Sequence, residues 1–263
     1  MLKGGFLFTV WEGDLHRATK DVDLHAFNEQ SLESTFAIVD AIAGETADPP
    51  DGVQFDQHRA RRRALTGGWI PGVRVLIPAH IGTAEVTIQI DVGFGHMVTK
   101  PEKRLYPALL PGFEPCLLCC SPMETMIAEK LAVAVEFGAD NTRLRDYYDL
   151  WYLSHRYVFV AHHLVNAIKA VFQTRDAGAL LQRDNWEAGY SNQIANRVGE
   201  RAWREWVHGH APQAKCPDLI GTAEAVGRFA LPLLVAARAD RQMAARWSSD
   251  LGWVPEGSSK RSY

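Results

Sequence analysis

The residues best suited to chemistry lie within the first 23 positions. A Gly4-Gly5 pair is followed by Thr19-Lys20-Asp21-Val22-Asp23. Successive side chains on a strand point to opposite faces, so Asp21 and Asp23 share one face while Val22 and Leu24 share the other. Their Cα atoms would lie about 6.5–7 Å apart, within reach of one divalent cation. Mg²⁺ accepts one or two carboxylates and completes its shell with water and substrate phosphate oxygens. A glycine turn beside such a pair lets backbone N–H groups approach a phosphate. The combination points to nucleotidyl transfer. On its own an Asp-x-Asp is more often a solvated strand edge, so the assignment depends on the rest of the chain.

Several elements can position further charged groups. Residues Phe6 to Trp11 suggest a short helix leading to the Asp-x-Asp strand. Ser34 to Ile42 reads as a helix, and Val73 to Ile77 as a strand after Ile70-Pro71-Gly72. Past a turn at Gly82-Thr83, Glu85 to Val92 alternates strictly, with Val86, Ile88, Ile90 and Val92 on a buried back. Asp91 then ends the polar face of that strand and is the third candidate carboxylate. Ser121-Pro122-Met123-Glu124 has the form of a capping box with proline at the first helical position. The stripe Met123, Ile127, Leu131, Ala134 and Val135 follows, and Gly138 closes it. Lys130 flanks that stripe, placed either to meet a phosphate or to snorkel into solvent. On the next helix, capped by Asp140 or Asn141, Arg143, Asp146 and Asp149 stack at helical spacing among Tyr147, Tyr148, Trp151 and Tyr152. Charges among aromatics need partners: Lys130 itself, or ion pairs within the helix such as Arg145 with Asp149.

From about Arg156 onward the pattern is helical, with His162 to Phe172 and Ala223 to Met243 the clearest stretches, and the polar tail Pro255 to Tyr263 is expected to be disordered. The expected domains are therefore a core over 1–155, a helical region over 156–254 and a tail over 255–263. A chain of 263 residues that is 47% hydrophobic can bury a substantial core. At a net charge of −3 it has no global basic field, leaving Arg59, Arg61, Arg62 and Arg63 as a local basic patch. No apolar run approaches a membrane span, since Phe229 to Ala237 is short and interrupted by Pro232, and no signal peptide precedes the acidic region. The expected compartment is the cytoplasm. Cys116, Cys119 and Cys120 sit in an apolar segment that reads as a buried strand of reduced thiols, and Cys116-x-x-Cys119 lacks a second pair for zinc. His162 and His163 are adjacent, so their rings are expected to point apart rather than share a metal.

Taken in order, Leu2-Lys3-Gly4-Gly5, Arg17 to Leu24, Ile90 to Gly95, Glu124 to Leu131 and Asn141 to Leu150 resemble the AbiEii/AbiGii-type nucleotidyltransferase toxins, a branch of the DNA polymerase β-like nucleotidyltransferases. The likeness spans roughly residues 1–153, with a looser helical likeness to about 240. It implies an α+β fold: a polymerase β-like core with a mixed sheet flanked by helices, then a helical C-terminal part. It also implies phosphate binding by Lys3, Gly4, Gly5 and Lys130, metal binding by Asp21, Asp23 and Asp91, and catalytic roles for Asp21, Asp23, Asp91, Lys130, Asp146 and Asp149. The cofactor would be Mg²⁺ or Mn²⁺ and the substrate an NTP. Asp91 would hold a second ion of a two-metal pair or take the proton of the attacking hydroxyl. Lys130 would neutralise the departing pyrophosphate.

Members act in toxin–antitoxin and phage-defence systems, so a cognate antitoxin is expected, and the acceptor is expected to be a hydroxyl on tRNA-like RNA or on protein. Three departures bear on this. The family has a helical segment ahead of Lys-Gly-Gly, whereas this sequence starts almost on that motif. Fifteen residues separate Gly5 from Asp21, a longer gap than the superfamily average. His96 stands where an acidic residue is expected after Gly93-Phe94-Gly95. The competing readings are a truncated, non-catalytic family member that acts as a binding module, and a small-molecule nucleotidyltransferase of the antibiotic-modifying kind.

Overall fold

The computed structural model describes residues 1–263 apart from 28–30, 46, 48–49, 67–70, 96–98, 175–180, 183–185, 191–193, 195–197 and 258–263. The chain divides into two compact units, Met1–Pro122 and Met123–Tyr263. That division falls at the start of the Ser121-Pro122 helix, inside the span 1–155 expected for the core. That helix and its successor bury their apolar residues against later helices.

The first unit is built on an eight-stranded mixed sheet. Its strands are β1 (Leu2–Lys3), β2 (Asp21–His25), β3 (Val53–Phe55), β4 (Arg61–Leu65), β5 (Gly72–Ile81), β6 (Ala84–Gly93), β7 (Glu102–Tyr106) and β8 (Cys116–Cys120). The order runs β3-β5-β6-β2-β1-β8-β7, and β4 also pairs with the long β5. Strand β2 lies parallel to β6 and antiparallel to β1. Two helices accompany the sheet, α1 (Leu7–Glu12) and α2 (Leu32–Gly44). Ser31 caps α2 by accepting the Ser34 N–H at 3.0 Å. Val39 of α2 packs on Val75 and Ile77 of β5. The period-2 rule therefore assigns Val73, Val75 and Ile77 to the covered face, and Arg74 and Leu76 to the other.

Two expectations about burial fail at the ends of this sheet. The back of β6 is buried only near its C-terminal end: Val86 is 50% exposed and Val92 5%. The β5–β6 hairpin extends past β2, which pairs only with Gln89 to Gly93. Segment Cys116–Cys120 is the expected strand, but Cys116 and Cys119 are exposed and only Cys120 is buried. Only Cys120 pairs with β1, and the rest of β8 has β7 alone for a neighbour.

The second unit holds α3 (Met123–Phe137), α4 (Leu144–Arg156), α5 (Ala161–Thr174), α6 (Glu200–His210) and α7 (Leu219–Arg238), with short strands β9 (Phe159–Val160), β10 (Ala245–Ser248) and β11 (Gly252–Pro255). It is not helical to its end. β10 and β11 form a hairpin in which Trp247 faces Trp253, and both rings pack on Phe229 of α7. Alternation, rather than helical spacing, buries Trp247 and leaves Trp253 half-buried. α7 stops at Arg238, short of Met243. Pro255 pairs with Ala245, and Glu256 N–H donates to Ala244 O, so the expected tail begins as ordered chain. Contrary to the expectation from Phe229 to Ala237, α7 as a whole is long and apolar enough to cross a membrane, yet 61% of its most apolar stretch is buried within the protein. That burial is the signature of a core helix. Asp218 caps α7, and the Glu200 carboxylate accepts the N–H groups of Leu219 and Ile220, tying α6 to it. The His162 and His163 rings do not point apart; they meet edge to face at 4.2 Å.

One ion cluster links α3 to α4. Lys130 Nζ lies 2.6 Å from Asp146 Oδ1 and 2.8 Å from Asp149 Oδ2, and Arg143 Nε lies 2.5 Å from Asp146 Oδ2. Lys130 therefore does not snorkel. Asp146 and Asp149 are 1% and 0% exposed, so each must be compensated. Burial acts to raise the Asp146 carboxyl, but attraction to Lys130 and Arg143, and hydrogen bonds from both, hold it well below the usual carboxylate range. The Asn141 carboxamide oxygen accepts Arg143 N–H at 3.0 Å and shapes the turn into α4.

Lys130→Met leaves two buried carboxylates facing each other and is expected to cost about 3–5 kcal/mol in urea unfolding. Because the Asp146 carboxyl is depressed in the fold, its contribution is complete above the unfolded value of about 3.9 and fades as pH falls through that range. The stability gap between wild type and Asp146→Asn should therefore narrow below about pH 4, read from unfolding midpoints at several pH values.

Candidate active site

Register across the first unit's sheet sets the site. Asp23 pairs with Asp91 across the parallel β2–β6 ladder, and Asp21 pairs with Gln89. Directly paired residues share a face, so all four project from the face opposite Val75 and Ile77. The structure brings Asp21, Asp23 and Asp91 together: one oxygen from each lies within 4.8 Å of the others, and all three are half-buried. Three carboxylate oxygens form a hard donor set of the kind Mg²⁺ and Mn²⁺ prefer. The residues present therefore fit a divalent cation.

The diglycine is part of this cluster. Gly4 has φ +68, in the left-handed region, and a Cβ there would sit 2.0 Å from Asp23 Oδ2. Only glycine lets the Asp23 carboxylate lie against that backbone. A Cβ on Gly5 would meet Thr19 Oγ1 at 2.7 Å, and Thr19 in turn donates to Asp21 Oδ1 at 3.3 Å. Each glycine thus admits a side chain that carries or steadies one aspartate. Lys3 pairs with Asp23 across β1–β2 and stands beside the same row.

Two members of the cluster were not singled out in the sequence. Arg74 grips Asp91 with two prongs, Nε to Oδ1 at 2.6 Å and Nη2 to Oδ2 at 2.5 Å. Gln89 Nε2 adds a third donor to Oδ2 at 3.1 Å. The hydrogen bonds to Asp91 outweigh the desolvation of Arg74, and attraction to Asp91, Asp21 and Asp23 pushes the guanidinium further up. A signal for Arg74 was present. Ile81 faces Ala84 across the two-residue turn at Gly82-Thr83, and counting seven residues outward on each strand makes Arg74 the partner of Asp91.

Strand alternation also splits the arginine patch. Arg63 faces Arg74 and Arg61 faces Leu76, which puts both on the carboxylate face. Arg62 lies on the opposite face, 2.5 Å from Asp40 of α2, and Arg59 lies 3.1 Å from Glu85. Arg61 and Arg63 are exposed, with no ion pair among the described residues. Lys130, Asp146 and Asp149 form the separate cluster of the second unit described above. His96 lies outside the described residues.

Comparison with solved structures finds loose likenesses. A presumed nucleotidyltransferase from H. pylori is 15% identical, with 91% of this chain and 86% of that one covered at a TM-score of 0.48. JHP933 from Helicobacter pylori is 15% identical, with 91% and 84% covered at 0.47. MenT4, a nucleotidyltransferase toxin from Mycobacterium tuberculosis H37Rv, is 19% identical, with 91% and 73% covered at 0.43. Likenesses at this level are too loose to assign residues. No curated protein sequence is similar enough to match. The family model is decisive: that of the nucleotidyl transferase AbiEii toxin, from type IV toxin–antitoxin systems, matches residues 1–256. The chain therefore belongs to the AbiEii family and is a nucleotidyltransferase of the α+β class.

Proposed function

We propose that this toxin transfers a nucleoside monophosphate from an NTP to a hydroxyl of a tRNA-like RNA, with Mg²⁺ or Mn²⁺ held by Asp21, Asp23 and Asp91. The observation that carries this reading is the convergence of three carboxylate oxygens within 4.8 Å, beside a glycine whose Cβ would collide with one of them. When bound, the cation would offset phosphate charge and polarise the phosphorus under attack. The acceptor oxygen bonds to the α-phosphorus, the bond from that phosphorus to the β-bridging oxygen breaks, and pyrophosphate departs as the hydroxyl proton passes to water. The chain's own part is positional and electrostatic. Gly4 and Gly5 keep backbone close to the carboxylates, and Thr19 orients Asp21.

The RNA acceptor is supported by Arg61 and Arg63, which are exposed on the carboxylate face. Arg63 stands two strands, about 10 Å, from Asp91. A sugar–phosphate backbone lying over them would gain affinity without sequence reading. Lys130 is held by Asp146 and Asp149 within the second unit. Catalytic roles for these three residues are part of the proposal. An NTP substrate and an RNA acceptor put the reaction in the cytoplasm, and the type IV system implies a cognate antitoxin to restrain it.

Asp21→Asn combined with Asp23→Asn is expected to abolish transfer of α-label from NTP to total RNA while the circular dichroism spectrum is unchanged; full transfer by the double variant would remove the metal assignment. Gly4→Ala should displace Asp23 and lower the single-turnover rate on the order of 100-fold, the penalty for an ångström-scale misplacement. Arg61→Gln with Arg63→Gln should weaken RNA binding and flatten its log–log salt dependence by about 1.4, at roughly 0.7 per lost single-strand phosphate contact. An unaltered slope would place the acceptor elsewhere.

A further inference from the structure

We infer that Arg17 is a positioning residue for the carboxylate cluster: its guanidinium fastens the loop ahead of β2 to α1 and to the glycine turn, and thereby sets Thr19 on Asp21. This role rests on the metal-binding reading proposed above and adds to it. Residues 14–20 lead from α1 to Asp21 and take neither helical nor strand form. No regular ladder of backbone hydrogen bonds holds them, which leaves side chains to set the path by which the chain reaches its first carboxylate.

Arg17 is placed to do this. It is only 9% exposed, so it acts within the protein rather than on a substrate. Its guanidinium carbon lies over the Phe8 ring, 5.4 Å from the centroid. Phe8 is buried on α1 and offers a fixed wall. His16 stacks on the same ring at 4.9 Å, so two successive loop residues grip one core side chain. Arg17 Nη1 donates to Ala18 O at 3.2 Å, and a Cβ on Gly5 would come within 3.2 Å of the same nitrogen. Gly5 therefore seats two loop side chains at once, the head of Arg17 and the hydroxyl of Thr19. Thr19 then donates to Asp21 Oδ1. A line of contacts thus runs from Phe8 through Arg17 and Gly5 to Thr19 and Asp21. A planar guanidinium suits it, because it can lie over a ring while donating from its edge. A lysine ammonium is a compact point charge and cannot do both in the same way.

Groups that orient a metal ligand are worth about 10–100-fold in metal affinity. The test is Mn²⁺ binding to the full chain, followed by the electron paramagnetic resonance signal of the free ion. Arg17→Lys keeps the charge and loses the planar fork, and is expected to weaken binding by about 10-fold. Thr19→Val, which exchanges the hydroxyl for a methyl group, should weaken it by a similar factor. The combined variant should bind no more weakly than either alone, because both changes break one route to Asp21. Losses that multiply in the combined variant would overturn that route, and wild-type affinity in Arg17→Lys would overturn the role of Arg17. In both cases, loss of binding in Asp21→Asn with Asp23→Asn would leave the metal site standing. Methylguanidinium added to folded Arg17→Ala should restore Mn²⁺ binding where methylammonium does not, and equal effects of the two would also overturn the role of Arg17. Mn²⁺ binding absent from wild type, or unchanged in the double aspartate variant, would overturn the metal reading and this inference together.

Discussion

Mutual repulsion of three carboxylates is the constraint around which the first unit is arranged. Oxygens within 4.8 Å of one another repel by roughly 3–4 kcal/mol per pair at an effective dielectric of 20. A fold that gathers them must supply compensation from fixed positions. The sheet does so by register. Asp91 receives Arg74 and Gln89, and Asp21 receives Thr19. Each compensating group is one strand or one short turn away, so the backbone ladder that builds the sheet also meters the charge.

The second unit meets the same difficulty by another route. Asp146 and Asp149 are removed from water almost entirely, and there the cost of an unpaired charge far exceeds that at the half-buried trio. Lys130 answers both from the neighbouring helix, and Arg143 answers Asp146 from one turn earlier. Buried pairs of this kind add little net stability compared with an apolar core, but removing one partner is costly. The cluster therefore fixes how α3 lies against α4.

Two physical causes separate the sequence from the structure. The alternation of β6 was plain, yet its outer half is bare, because alternation says which side chains share a face and not whether another layer covers that face. Segment Cys116–Cys120 was legible as a strand and misjudged as buried for the same reason. Trp247 and Trp253 were assigned to helix because a four-residue strand pattern is faint beside the long apolar run of α7.

Local chemistry reaches far in this chain. The types and spacing of Gly4, Gly5, Asp21, Asp23 and Asp91 suggested nucleotidyl transfer and named the three carboxylates that the fold gathers, because glycine freedom and strand alternation are short-range properties, but the reaction class needed the order of motifs along the rest of the chain. Pairing across strands and between helices lies outside that range. The grip of Arg74 on Asp91, the division of Arg59 to Arg63 between two faces, and the capture of Lys130 by Asp146 and Asp149 join residues well separated along the chain. Such contacts appear only when hydrogen-bonded ladders and packed helices bring distant segments into register.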